Sequence, residues 1–132
     1  MSIAAINRMR AAHGLPPIPV AEKARKYRNQ PCEYDSPLVG RMTYPSKRQM
    51  RRAMDLDALY MAGEIRWWLP EIPLRLKAYT DARQRIMRVD FLICWADGQV
   101  TWEDAKGVKP TAAWTLKRDI VKEQYGIEIE IV

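Results

Sequence analysis

Residues 88–107 read RVDFLICWADGQVTWEDAKG. Two runs rich in apolar and β-branched residues flank Ala96-Asp97-Gly98, and an Asp-Gly pair between such runs is a strong short-range hairpin signal. Residues two apart in a strand share a face. Asp90 therefore lies with Leu92 and Cys94, while Val89, Phe91, Ile93 and Trp95 take the opposite face. On the second strand Asp104 and Lys106 align with Val100 and Trp102, and Glu103 and Ala105 turn away. Folding this hairpin sets one acid beside an acid-x-Lys sequence.

Working outward, residues 2–12 form a short Ala-rich helix with Ser2 as a possible cap, broken by Leu15-Pro16-Pro17-Ile18-Pro19. Residues 1–25 are expected to be an N-terminal arm or a dimer contact rather than core. Residues 27–44 should be irregular, with short strands near 32–35 and 41–44. Ser46 caps a helix over 47–62, with Gly63 as its stop. The expected apolar side is Met50, Ala53, Met54, Leu56, Ala58 and Met61. Lys47, Arg48, Arg51 and Arg52 then form either a solvated face or a phosphate-contacting one. Residues 65–78 are extended, but Pro70 and Pro73 argue against a central strand. The hairpin strands cover 83–95 and 99–106. Thr111 caps a last helix over 112–125, Gly126 ends it, and residues 127–132 alternate as a final strand. The fold class is α/β, a mixed central sheet flanked by helices.

Composition bounds the chemistry. The chain of 132 residues, 48% of them apolar, suits one domain with a real core. No apolar run approaches the roughly 18 residues a membrane span needs, and Arg8 and Arg10 interrupt any signal-peptide core. Cys32 and Cys94 make no disulfide framework, which suits a cytoplasmic setting. The single His13 excludes a multi-histidine zinc site, and a Ser-His-Asp or Cys-His engine would rest on that residue alone. Net charge is +6, distributed as +8 over residues 1–52 and −2 over residues 53–132. A basic half beside a near-neutral half suits polyanion binding next to a metal site, although charge alone also fits a tail that keeps the chain in solution.

Phosphodiester hydrolysis requires an activated water and neutralisation of charge on the transition state. Carboxylates on adjacent strands can hold one or two Mg²⁺ (or Mn²⁺) ions near a scissile phosphate. A lysine two residues from a ligand can orient or deprotonate the water. The Ala105 carbonyl is a further candidate ligand. Acid-x-Lys alone occurs often by chance; its place in a hairpin with a second acid makes it informative.

The pattern Asp90 … Asp104-x-Lys106 resembles the PD-(D/E)xK nuclease superfamily, with its restriction-endonuclease-like fold. More narrowly, residues 26–132 are similar to a family of small phage and prophage proteins known as a domain of unknown function. The carrying pieces are Lys26-Tyr27-Arg28-Asn29, Tyr44-Pro45-Ser46-Lys47, Ala62-Gly63-Glu64-Ile65, Val89-Asp90-Phe91, Glu103-Asp104-Ala105-Lys106-Gly107, Thr111 with Leu116-Lys117-Arg118, and Tyr125-Gly126-Ile127. The resemblance implies a metal-dependent endonuclease acting on DNA, with branched DNA such as Holliday junctions as substrate, in a phage protein of the bacterial cytoplasm. It implies Asp90 and Asp104 as metal ligands and Lys106 as the catalytic lysine. Two cuts on a symmetric junction imply a homodimer.

Family members place a glutamate three residues after the Ser that opens the first helix. Here that residue is Gln49. An amide binds Mg²⁺ more weakly than a carboxylate and cannot act as a base. Three readings stay open: Glu71 supplies the third carboxylate, Gln49 serves as a neutral ligand, or the chain has weak or lost activity. In the last case it is a DNA-binding module, or a protein-interaction factor on the same scaffold. Lys109 and Lys117 join Lys47, Arg48, Arg51 and Arg52 as DNA-contact candidates. The five tryptophans suit either packing or stacking on exposed bases.

Overall fold

A computed structural model describes residues 1–20, 31–79 and 85–132. Lys26-Tyr27-Arg28-Asn29, the beginning of the hairpin's first strand at residues 83–84 and the boundary expected at 25/26 lie outside the described residues. The element order is α1 (Ile3–Ala12), β1 (Cys32–Ser36), β2 (Gly40–Tyr44), α2 (Lys47–Met61), β3 (Ile65–Arg75), β4 (Ile86–Trp95), β5 (Val100–Asp104), α3 (Ala112–Tyr125) and β6 (Ile129–Ile131). The chain is mixed α/β and divides into two compact units, Met1–Arg66 and Trp67–Val132. No helix among the described residues is long and apolar enough to cross a membrane.

In the first unit, the Ser2 hydroxyl accepts from the Ala5 N–H and starts α1. The proline-rich segment then folds back on the helix. The Asn7 side chain accepts from the Ile18 N–H at 2.7 Å and donates to the Ile18 carbonyl at 3.0 Å. Arg10 bonds the Pro16 carbonyl and pairs with Glu64 at 2.6 Å. Ile3, Ile6 and Ile18 are buried. Residues 1–20 of the expected arm therefore pack within this unit, where three isoleucines hide their apolar surface.

β1 and β2 pair antiparallel from Cys32↔Tyr44 to Ser36↔Gly40. Ser46 caps α2 by accepting from the Gln49 N–H. The buried face of α2 differs from the expected one. It carries Gln49, Arg52, Ala53, Leu56, Asp57 and Leu59, whereas Met54 and Met61 are exposed. Residues 49, 52, 53, 56 and 59 follow the spacing of one helical stripe. Ala53 and Leu56 belong to both faces; apolarity alone gives no weight to polar groups that find partners inside. Asp57 is such a group: it accepts from Tyr34 Oη at 2.5 Å and from Ser36 Oγ at 2.9 Å, tying β1 to α2. Burial, and then the Asp57 carboxylate, hold the Tyr34 phenol well above its ordinary value. Tyr34→Phe is expected to cost about 1–2 kcal/mol, a hydrogen bond to a charged acceptor, measured as a lower urea midpoint with an unchanged m-value.

In the second unit the sheet order is β3-β4-β5-β6. β3 is an edge strand, as its two prolines require. β4 and β5 pair antiparallel through Phe91↔Glu103, Leu92↔Trp102, Ile93↔Thr101 and Cys94↔Val100, and β5 pairs parallel with β6. The hairpin turn closes with the Gly98 N–H on the Trp95 carbonyl, and Gly98 holds φ 89°, a conformation that favours glycine. Thr111 caps α3, and Gly126 ends it in the left-handed conformation at φ 69°. Leu74, Leu76, Met87, Val89, Val121 and Ile129 form the core, with Trp102 and Trp114 packed against it. Trp68 is buried edge-on to Phe91 with ring centroids 5.8 Å apart. Trp67 keeps 37% of its surface exposed. Packing thus explains most of the tryptophans.

Candidate active site

The β4–β5 register stops at Phe91↔Glu103, and Asp90 and Asp104 are the next residues along. Their carboxylates take the place of further ladder bonds. The Asp90 N–H donates to Asp104 Oδ1 at 2.8 Å, and the Ala105 N–H donates to Asp90 Oδ2 at 2.9 Å. Trp114 Nε1, from the first turn of α3, donates to Asp104 Oδ2 at 2.8 Å. The backbone beyond Asp104 is pinned from the other side: the Val132 N–H bonds the Asp104 carbonyl at 2.9 Å, and the Lys106 N–H bonds the Val132 carbonyl at 3.2 Å. Lys106 lies past the end of β5, so strand alternation does not set its direction. Its Nζ sits 5.1 Å from the Trp114 ring centroid.

Desolvation, then the Asp104 charge, push the Asp90 carboxyl up to about 6, against the Ala105 N–H and the Lys106 ammonium, which lower it. Asp104 is only 2% exposed, and burial raises its carboxyl too, opposed by the Asp90 N–H and the Trp114 indole. Two acids held together in a dry site resist ionising together. A cation between them would relieve that conflict.

Glu71 contributes its charge to the raised carboxyl of Asp90. It holds φ 49°, a left-handed conformation, inside β3 between Pro70 and Pro73. Such a backbone costs a non-glycine residue about 1–2 kcal/mol. Glu71→Gly is expected to raise the unfolding free energy by up to about 1 kcal/mol, after glycine's extra chain entropy is charged against the relief, as read by chemical denaturation. Among the described residues no group of three or more His, Cys, Asp or Glu is placed to hold a metal. The donor set still suits a hard cation. Mg²⁺ is commonly held by one or two carboxylates, with water and substrate phosphate completing the shell, and this pair offers oxygen donors with excess negative charge.

Gln49 belongs to the first unit. It is 4% exposed, and its Nε2 has no hydrogen-bond partner among the described residues. Glu103 is fully buried opposite Phe91, on the face away from Asp104. Of the proposed phosphate contacts, Arg48 and Lys109 are exposed and Lys47, Arg51 and Lys117 are half-buried. Arg52 is different: it is buried and reaches the Met1 carbonyl at 3.4 Å, so it faces inward and is withdrawn from a phosphate-contacting surface. Lys117 Nζ lies 5.9 Å from the Tyr79 ring centroid.

Trp114 packs against the core, as the packing reading of the tryptophans expects, but sequence reasoning missed its bond to Asp104. The available signal was local. Thr111 as cap puts Trp114 in the first helical turn, a short loop away from Asp104, where an indole donor can turn back on the strand end. No protein-family model, curated protein or solved structure matches the chain.

Proposed function

We propose that the chain is a divalent-metal-dependent endonuclease that hydrolyses DNA phosphodiester bonds, on a restriction-endonuclease-like arrangement of the PD-(D/E)xK kind. The observation carrying this reading is the Asp90–Asp104 carboxylate pair at the end of the β4–β5 ladder, with Lys106 beside it. Three features support it together. Asp104 is buried and Asp90 half-buried beside its charge, Lys106 is a cation acting on both, and residues 1–52 carry an excess of +8 in formal charge.

When bound, Mg²⁺ or Mn²⁺ supplies charge neutralisation at the scissile phosphate and makes water more acidic. Asp90 and Asp104 would hold it through oxygens whose directions are fixed by the Asp90, Ala105 and Trp114 N–H groups. Lys106 orients the attacking water or stabilises the developing charge. Glu71 acts on Asp90 through its charge, but the pair of aspartates stands without a third carboxylate placed to share a metal among the described residues. In the second unit, which carries the acid pair, exposed Lys109 and half-buried Lys117 contact phosphates; in the first, exposed Arg48 with Lys47 and Arg51 offers its own phosphate contacts. The substrate is branched DNA, cut by a homodimer in the cytoplasm of a phage-infected or lysogenic bacterium.

A second reading, a DNA-binding module that does not cut, is favoured by the neutral Gln49 and by the two-carboxylate donor set. Labelled duplex, flap and four-way substrates, with and without Mn²⁺, separate the two. Metal-dependent cleavage of the four-way substrate is the expected result. Salt-dependent binding without cleavage establishes the second reading and overturns the first.

A further inference from the structure

We propose that Trp114 is a positioning residue that sets Asp104 and Lys106 together: its indole N–H fixes the carboxylate, and its ring seats the ammonium. The inference rests on the metal-dependent reading above. Asp104 has one donor on each oxygen, the Asp90 N–H on Oδ1 and Trp114 Nε1 on Oδ2, both at 2.8 Å. A carboxylate so held cannot rotate about its terminal bond, and each oxygen keeps a lone pair for a cation. Indole is a donor only, so the direction of this bond cannot reverse. The Lys106 Nζ lies 5.1 Å from the same ring's centroid, a cation–π distance. The ring itself is fixed from several sides. Its backbone N–H is capped by Thr111 at 3.1 Å, Arg118 one turn along the helix brings its guanidinium to 5.3 Å, and the core packs against it. One side chain thus joins the cation-holding group to the water-orienting group, across ten residues of sequence.

The two halves of the role separate by substitution. Trp114→Phe keeps a ring for Lys106 and deletes the N–H; Trp114→Leu deletes both. Outer-shell donors to metal ligands are typically worth about 10–100-fold in affinity or activity. Calorimetric titration with Mn²⁺ alone is expected to show binding weakened about 10-fold or more in both variants. At saturating Mn²⁺, cleavage of a four-way substrate should fall by a further ~10-fold in the Leu variant relative to the Phe variant, since only Leu releases the lysine. A purely structural role would instead lower the unfolding midpoint of the metal-free variants and leave the Mn²⁺ affinity of the folded fraction intact. Wild-type Mn²⁺ affinity in Trp114→Phe, or equal cleavage by the two variants, overturns the Trp114 assignment alone. Absence of Mn²⁺ binding by the wild-type chain overturns the metal-dependent reading as well. If the variants do not fold, the assigned Trp114 indole N–H resonance of the wild-type chain decides: substoichiometric Mn²⁺ must broaden it, and a sharp Trp114 signal in a chain that calorimetry shows to bind Mn²⁺ overturns the assignment.

Discussion

Asp90→Asn should make the metal-free protein more stable at pH 7.5, by about 2 kcal/mol, while removing its response to divalent ions. Burial and the Asp104 charge raise the Asp90 carboxyl from 3.8 to about 6. A carboxyl raised by folding adds stability that is fully present below its unfolded value near 4. That stability is lost as pH rises through 6, because the unfolded chain ionises more readily than the folded one. At pH 7.5 the folded chain carries a penalty on the order of 2–3 kcal/mol. Asparagine is nearly isosteric, keeps an oxygen for the Ala105 N–H, and carries no charge to desolvate. Urea denaturation at pH 4.0 and 7.5 tests this. The variant's advantage should be near zero at the lower pH and appear at the higher one; an equal loss at both would show that the carboxylate is not a burden. Added Mn²⁺ should stabilise the wild type by mass action and leave the variant nearly unchanged. An acid that weakens its own fold is a feature that ligand sites share more often than architectural positions do.

Lys106→Ala is expected to lower the cleavage rate by at least about 100-fold at saturating Mn²⁺, with Mn²⁺ affinity changed far less. Lys106 is held by its backbone to Val132 and by its side chain to the Trp114 ring. Truncation therefore removes the ammonium and leaves the Asp90–Asp104 bonds in place. Single-turnover cleavage, with Mn²⁺ titration by calorimetry, makes the separation visible. A rate within a few-fold of wild type would take Lys106 out of the chemistry. Asp104→Ala differs in kind, since it leaves the Asp90 N–H and the Trp114 indole without their acceptor and costs stability together with activity.

Much of the fold was legible because its signals are local. Ser2, Ser46 and Thr111 cap the three helices where a side-chain oxygen can meet an N–H three residues on. Asp97-Gly98 sets the hairpin turn, and Pro70 and Pro73 confine β3 to an edge. The pairing of Asp90 with Asp104 followed from hairpin register. What escaped depends on contacts made after chain folding. The buried stripe of α2 could not be read from apolarity, since Gln49, Arg52 and Asp57 lie in it. The packing of α1 depends on the Asn7 bonds to Ile18. Lys106 was placed by alternation, although the strand ends at Asp104 and its position comes from Val132 and Trp114.

The closed turn of the hairpin has a practical side. Ala96, Asp97, Gly98 and Gln99 are exposed, and the whole paired ladder separates them from the two aspartates, roughly 10 Å or more at strand rise. This tip is the natural anchoring point for a fluorophore or a surface tether. A protein immobilised there would keep its attachment at the far end of the hairpin from the two aspartates.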